Sequence, residues 1–267
     1  MTHCTDLTPT DPVWLWQQIL QEVQQQAQQE PVLTSFLYST VLNHSSLAAA
    51  LSFHLANILN CNTLPALLVR EVADEALIKD PSIIISVAND IRATKERDAV
   101  CKTYSTPLLF FKGFHALQGY RVAHWLWQQG RESLALFFQN RISTVLGVDI
   151  HPAAQIGSGI LMDHATGIVV GETAVIEDRV SILHGVTLGG TGKETGDRHP
   201  KIRQGVLLSA HATVLGNVEI GKCAKVAAGS VVLENVPPHT TVAGVPAKIT
   251  GQRPQEDDPA QSMDQQI

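Results

Sequence analysis

Two short stretches of this 267-residue chain carry residue types that move protons and hold anions. The first is Asp163-His164-Ala165-Thr166-Gly167, where an imidazole stands beside a carboxylate. Histidine changes charge near neutral pH, so His164 is a candidate for proton transfer; a hydrogen-bonded structural histidine is the alternative. The second stretch, Gly190 to Arg203, is polar and glycine-rich and gathers Lys193, Arg198, Lys201 and Arg203. In a chain of net charge −6, that cationic cluster could serve an anionic ligand, although a solvated loop explains it too.

The elements that must position these residues follow from periodicity. From Ile150 to Val236 a hydrophobic column recurs every six residues: Ile150, Ile156, Met162, Ile168, Ala174, Val180 and Val186, then Val206, Ala212, Val218, Ala224, Ser230 and Val236. A second column runs two positions on, through Val170, Ile176, Ile182 and Leu188, then Leu208, Val214, Ile220, Val226 and Val232. A six-residue period indicates a stacked parallel β-helix with these columns facing inward. Between Val186 and Val206 lie twenty residues, one repeat plus fourteen, so a loop is expected at about 190–204. His164 falls in phase with the aliphatic column, where a buried imidazole would need partners. Either the register slips there or His164 turns outward into a site; the second reading is preferred.

Residues 1–146 read as an α-helical domain. Asp11-Pro12 has the N-cap and first-turn proline of a helix start. Helical patterning continues through 31–43, 46–60, 64–78, 81–94, 112–129 and 131–146. The β-helix is expected over 147–250, and the polar, acidic tail 251–267 reads as mobile.

At 44% hydrophobic and 16% charged residues, the composition is globular. The negative net charge gives no reason to expect nucleic acid or an anionic membrane as partner. The longest greasy stretch, Leu47–Leu59, is too short and too polar to span a bilayer. Cys4, Cys61, Cys101 and Cys223 lie far apart, and no secretory leader is evident, which together suggest a reduced, cytoplasmic protein.

The chain resembles the serine O-acetyltransferases of the hexapeptide-repeat acyltransferase superfamily. The resemblance rests on Tyr104–Leu109, Lys112–Gln118, Val148–Ala154, the DHATG string at Asp163, Gly171–Val175, Gly185–Gly192, Gly196–Arg203 and Ala243–Ala247. It implies a left-handed β-helix and acetyl transfer from acetyl-CoA to the L-serine hydroxyl, the first step of cysteine biosynthesis. His164 would be the general base, oriented by Asp149. Asp98 and Asp163 would hold the serine ammonium, and Arg198 and His199 its carboxylate. Backbone N–H groups around Gly189–Gly192 would face the oxyanion. Acetyl-CoA would meet Gly190, Gly192, Ala210, Ala228, Gly229 and Lys248 as co-substrate, with no permanent cofactor and no metal. Family members form trimers, paired through the helical domains, and many end in an isoleucine that enters O-acetylserine sulfhydrylase; Ile267 would play that part. One departure is Arg97-Asp98-Ala99, where the family has Arg-Asp-Pro, so the reach of Asp98 is open.

Three rival readings have different consequences. A γ-type carbonic anhydrase shares the β-helix and holds zinc through three histidines; His151, His164, His184, His199 and His211 supply enough imidazoles, but the helical domain would be unexplained. An acetyltransferase for another small hydroxyl acceptor is nearer, and the Arg198, Asp163 and Asp98 set favours an amino acid. A non-catalytic scaffold presenting its tail is the third.

Overall fold

The computed structural model describes residues 11–192, 195–252 and 254–266. Its helical part comprises α1 (Pro12–Gln29), α2 (Thr34–Leu37), α3 (Leu47–Leu59), α4 (Ala66–Lys79), α5 (Ser82–Arg97), α6 (Ser105–Phe110), α7 (Lys112–Gln128) and α8 (Glu132–Leu146). The Asp11 carboxylate caps α1 by accepting from the Val13 N–H at 2.8 Å. Gly147, left-handed at φ 69°, ends α8 and releases the chain into the prism. Helix α6 is not evident from periodicity. Its first amides, at Tyr104 and Ser105, donate to the Glu22 carboxylate of α1, a cap supplied from 82 and 83 residues away.

Five coils follow. The first holds β1 (Val148–Ile150), β2 (Gln155–Ile156) and β3 (Leu161–Asp163), and the second β4 (Ile168–Val170), β5 (Val175–Ile176) and β6 (Ser181–Leu183). The third holds β7 (Thr187–Gly189), β8 (Lys201–Ile202) and β9 (Leu207–Leu208), and the fourth β10 (Thr213–Leu215), β11 (Glu219–Ile220) and β12 (Lys225–Val226). The fifth has β13 (Val231–Val232) and β14 (Thr240–Gly244), and β15 (Ala247–Gln252) returns antiparallel to β14. Like strands stack in parallel into three faces: β1-β4-β7-β10-β13, β2-β5-β8-β11, and β3-β6-β9-β12-β14-β15. The aliphatic column fills the interior, with Ile176, Ile182, Leu188, Leu208, Val214, Ile220 and Val226 at most 1% exposed.

The register departs from the six-residue arithmetic in two places. Ile150, Ile156 and Met162 pair with Val170, Ile176 and Ile182, so they belong to the second column, twenty residues per coil rather than eighteen. The two extra residues are taken up beside His164, where His164 (φ 55°) and Ala165 (φ 59°) are both left-handed. Slip and outward histidine are therefore one event: the chain overshoots the corner and carries the imidazole out. Two non-glycine residues in this conformation cost about 1–2 kcal/mol each, which the surrounding contacts must offset. The other departure is the loop. Lys201 and Ile202 are in strand, paired with Val175 and Ile176, so the bulge occupies 190–200 and exceeds the repeat by eight residues, not fourteen.

The helical domain is fixed to the first coil through Asp90, which is fully buried. Its carboxylate accepts from Gln118, from Nε and Nη2 of Arg121, and from the Ile160 N–H. Arg121 also donates to the Gly157 carbonyl at 2.8 Å. One buried ion pair thus ties α5, α7 and the coil that carries His164.

Beneath this junction, His54 and His115 meet edge to face with ring centroids 4.8 Å apart, both nearly buried. His115 Nε2 donates to the Leu108 carbonyl. Burial, reinforced by His54, pushes the His115 imidazole down to about 4, and burial lowers His54 as well. The unfolded chain takes up these protons below about pH 6.5, whereas folded His115 resists until about 4 and His54 is shifted the same way. The contribution of the pair is therefore whole above the upper pH and is lost as pH falls toward the lower. Melting temperature should decline across this window, and the slope should be shallower in His54→Met; equal slopes would contradict the account.

The tail is not free. Asp258-Pro259 repeats the cap-and-proline signature of α1 and starts a short helix, α9 (Pro259–Ser262), whose Ala260 is fully buried. Ser181 donates to the Ala260 carbonyl, Asp258 pairs with Arg179 at 3.5 Å, and Lys225 Nζ reaches the Asp264 and Gln266 carbonyls. Residues 254–266 thus lie along the third face of the prism. Ile267 lies outside the described residues.

Candidate active site

The histidine edge runs between the third and first faces. A cleft of about 420 Å³ opens at its top, lined by Asp98, Phe110, Lys112, Gly113, Asp163 and His164. The His164 side chain is 76% exposed, and its Nε2 lies 3.8 Å from Asp163 Oδ1. Lys112 Nζ donates to Thr166 within the same turn. Gly113 allows α7 to sit on the coil here, because a Cβ would fall 2.2 Å from the Met162 carbonyl oxygen and 2.9 Å from the Ala165 Cβ. Asp98, the C-cap of α5, is brought to the same cleft from 65 residues upstream of Asp163.

Asp149 stands on β1 and accepts from Gln139 Nε2 of α8 at 2.7 Å. Among the described residues the carboxylate in ion-pair reach of His164 is that of Asp163. Gln139 had no signal in the sequence; its importance lies in fixing the Asp149 carboxylate.

Arg198 and His199 are elsewhere. They sit at the edge between the first and second faces, at the end of the bulge, and the chain does not bring them to its own His164. Arg198 Nη2 donates to Glu172 Oε2 at 2.6 Å, and both backbone amides, of Arg198 and His199, donate to Thr173 Oγ1. The Thr173 N–H donates to His199 Nδ1 at 3.1 Å, which places the proton of a neutral imidazole on Nε2. Burial and the neighbouring Arg198 lower the His199 pKa, favouring that neutral donor. Glu172 and Thr173 are site-building residues that sequence reasoning passed over within Gly171–Val175.

The His199 ring lies directly over Gly171, where a Cβ would fall 2.0 Å from its Cδ2. Gly171→Ala should displace the ring and raise the KM for the acceptor about tenfold, in line with loss of a charge-assisted hydrogen bond. Steady-state kinetics check this; an unchanged KM would remove His199 from acceptor binding.

The remaining positions divide in the same way. Ala210, Ala228 and Gly229 stack below His164 on the histidine edge, with Gly229 N–H donating to the Ala210 carbonyl. His184 and His211 line that edge too, ring centroids 4.8 Å apart. With coils spaced by about 4.8 Å, this rail extends roughly 15 Å from His164. Gly190 and Gly192 lie on the bulge with Arg198, and Lys248 is on β15. Among the described residues no group of three or more His, Cys, Asp or Glu could hold a metal ion, and His151 and His199 sit on a different edge from His164, His184 and His211. No helix among them is long and apolar enough to cross a membrane.

A β-helix of six-residue repeats, with an outward histidine on one edge and a bulge carrying Arg198 on another, is the architecture that the comparisons place among the serine acetyltransferases. A family model described as "Serine acetyltransferase, N-terminal" matches residues 15–119. The serine acetyltransferase of Escherichia coli (strain K12) is 59% identical over 251 residues, covering 94% of this chain and 92% of that protein. The chain belongs to the serine acetyltransferase family. Among solved structures, the serine acetyltransferase of Vibrio cholerae O1 biovar El Tor N16961 is 61% identical, with a TM-score of 0.94 over 96% of this chain and 99% of that one. The soybean enzyme complexed with serine is 57% identical (TM-score 0.88, 90% and 98% covered). The Brucella abortus strain S19 enzyme in complex with coenzyme A is 49% identical (TM-score 0.90, 95% and 99% covered).

Proposed function

We propose that this protein transfers the acetyl group of acetyl-CoA to the hydroxyl of L-serine, giving O-acetyl-L-serine and CoA, the first step of cysteine biosynthesis from serine. The observation that carries this reading is His164 turned out of the prism beside Asp163 and Asp98, in a chain this similar to serine acetyltransferases. A serine hydroxyl ionises far above neutral pH, so it needs a base as it attacks the thioester, and His164 takes that proton. Asp149, held by Gln139, orients the imidazole and stabilises its cationic form, as a carboxylate does in hydrolase triads. The exposed His164 side chain has the freedom to turn toward it. Asp98 and Asp163 bind the ammonium, while the Arg198 guanidinium and the His199 Nε2–H bind the carboxylate. Backbone N–H groups of the Gly189–Gly192 segment face the developing oxyanion. The hydroxyl attacks the thioester in one ternary complex, so acetyl-CoA is a co-substrate and no permanent cofactor is involved.

Because Arg198 and His199 stand on another edge than His164, a site holding all of them needs two copies. We infer a homotrimer in which the bulge edge of one prism faces the histidine edge of the next, with Gly190 and Gly192 of one copy opposite Ala210, Ala228 and Gly229 of the other. Exposed Leu67 and Ile78 on α4 (67% and 76%) offer apolar area for pairing trimers into a hexamer. The free cysteines Cys61, Cys101 and Cys223 suit the cytoplasm. Ile267 is proposed as the contact with O-acetylserine sulfhydrylase. The reaction is tested by mass spectrometry of L-serine incubated with acetyl-CoA and the protein: an acetyl ester of serine is expected, and an N-acetyl product or none would overturn the reading.

A further inference from the structure

Arg97 and Asp98 are consecutive yet face two different clefts. Asp98 lines the His164 cleft, whereas Arg97 lines a second one of about 470 Å³ between α5, the prism and α9. Arg97 is only 8% exposed, and its guanidinium is held by neutral acceptors: Nε donates to Gln261 Oε1 at 3.1 Å and Nη1 to Ser181 Oγ at 3.2 Å. Ser181 in turn donates to the Ala260 carbonyl at 2.8 Å. Three segments distant in sequence, the end of α5, the second coil and the tail helix, therefore close on one buried cation. Asp258 secures the tail half by capping α9 and pairing with Arg179.

We propose that this closure is a positioning clamp for the acceptor site: α9 holds Arg97 so that Asp98, one peptide further on, presents its carboxylate to the acceptor's ammonium group. Consecutive Cα atoms are about 3.8 Å apart, so a shift at Arg97 passes to Asp98 almost undiminished. Otherwise the Asp98 carboxylate is held within its own turn, accepting from the Val100 N–H at 2.9 Å. Misplacement of a positioning group by about 1 Å can cost a factor near 10². The tail, on this account, is part of the serine-binding apparatus, acting through Arg97 without touching substrate. The proposal rests on the reading of Asp98 as an ammonium ligand.

Gln261 is exposed, so its replacement in the full chain should leave the fold intact. Gln261→Ala should raise the KM for L-serine about tenfold, with kcat and the KM for acetyl-CoA nearly unchanged, in line with one lost bond to a cation. Gln261→Glu keeps an acceptor and should retain the parental KM. An unchanged serine KM in Gln261→Ala, or a parallel rise in both KM values, would overturn the clamp. Hydrogen exchange judges it independently of turnover: the Asp98 and Cys101 amides, bonded to Thr94 and Asp98 carbonyls, should exchange faster in Gln261→Ala. Faster exchange in Gln261→Ala, beside a parent chain that does not use L-serine, would uphold the clamp and sink the assigned reaction; unaltered exchange would sink the clamp alone.

Discussion

His164→Ala should lower kcat by about 10²–10⁴-fold while the melting temperature and the oligomer stay as in the parent, because the side chain is mostly exposed and what it supplies is general base catalysis. The loss should appear in kcat more than in the KM for acetyl-CoA, since the rail proposed for the thioester arm lies below His164. His164→Asn separates base from hydrogen-bonding side chain: an amide cannot accept the hydroxyl proton, so it should be nearly as inactive as alanine. Retention of more than about a tenth of the parental kcat in either variant would mean that the proton leaves by another route. Replacing Asp149 should cost less, because carboxylate support orients and stabilises an imidazole that still has its own basicity.

The second large effect concerns the division of the site between edges. Arg198→Ala should be nearly inactive at ordinary serine concentrations, since loss of a charged hydrogen-bond partner costs about 1.5–3 kcal/mol, or roughly 10–100-fold. Its mixture with His164→Ala should nevertheless recover activity when subunits assort at random, as after co-expression. A native site then needs an intact His164 from one copy and an intact Arg198 from the next. In a closed ring this combination arises at about one site in four, so about a quarter of parental activity is expected. Mixtures no more active than the separate variants would place both residues in a site within one chain.

The β-helix and its inward columns were legible because a rigid repeat repeats its burial. What the period could not express was the overshoot at His164. Two left-handed non-glycine residues leave no compositional mark, so three residues were assigned to the wrong column, although the outward histidine followed from its poor fit to an aliphatic interior. The bulge is shorter than the repeat arithmetic gives because Lys201–Ile202 is a two-residue strand inside a polar, basic string, evident only from its partners Val175 and Ile176. Helix α6 was missed because its cap is Glu22, brought from α1 by tertiary structure. In the tail, Asp258-Pro259 carries the same signature that marks α1, inside a polar and acidic stretch. The candidate residues were legible as strings, and the resemblance supplied their roles. That Arg198 and His164 occupy separate edges is a property of the coil register, which no string contains.

The central claim is tested most directly by following CoA thiol release from acetyl-CoA with the purified protein and a panel of acceptors. The account predicts release that depends on L-serine, with sugars far poorer because they lack the ammonium proposed to meet Asp98 and Asp163 and the carboxylate proposed to meet Arg198, and with L-threonine and L-homoserine poorer because an added methyl or methylene displaces the hydroxyl from His164. Release unaffected by L-serine, or supported better by a sugar hydroxyl, would contradict it.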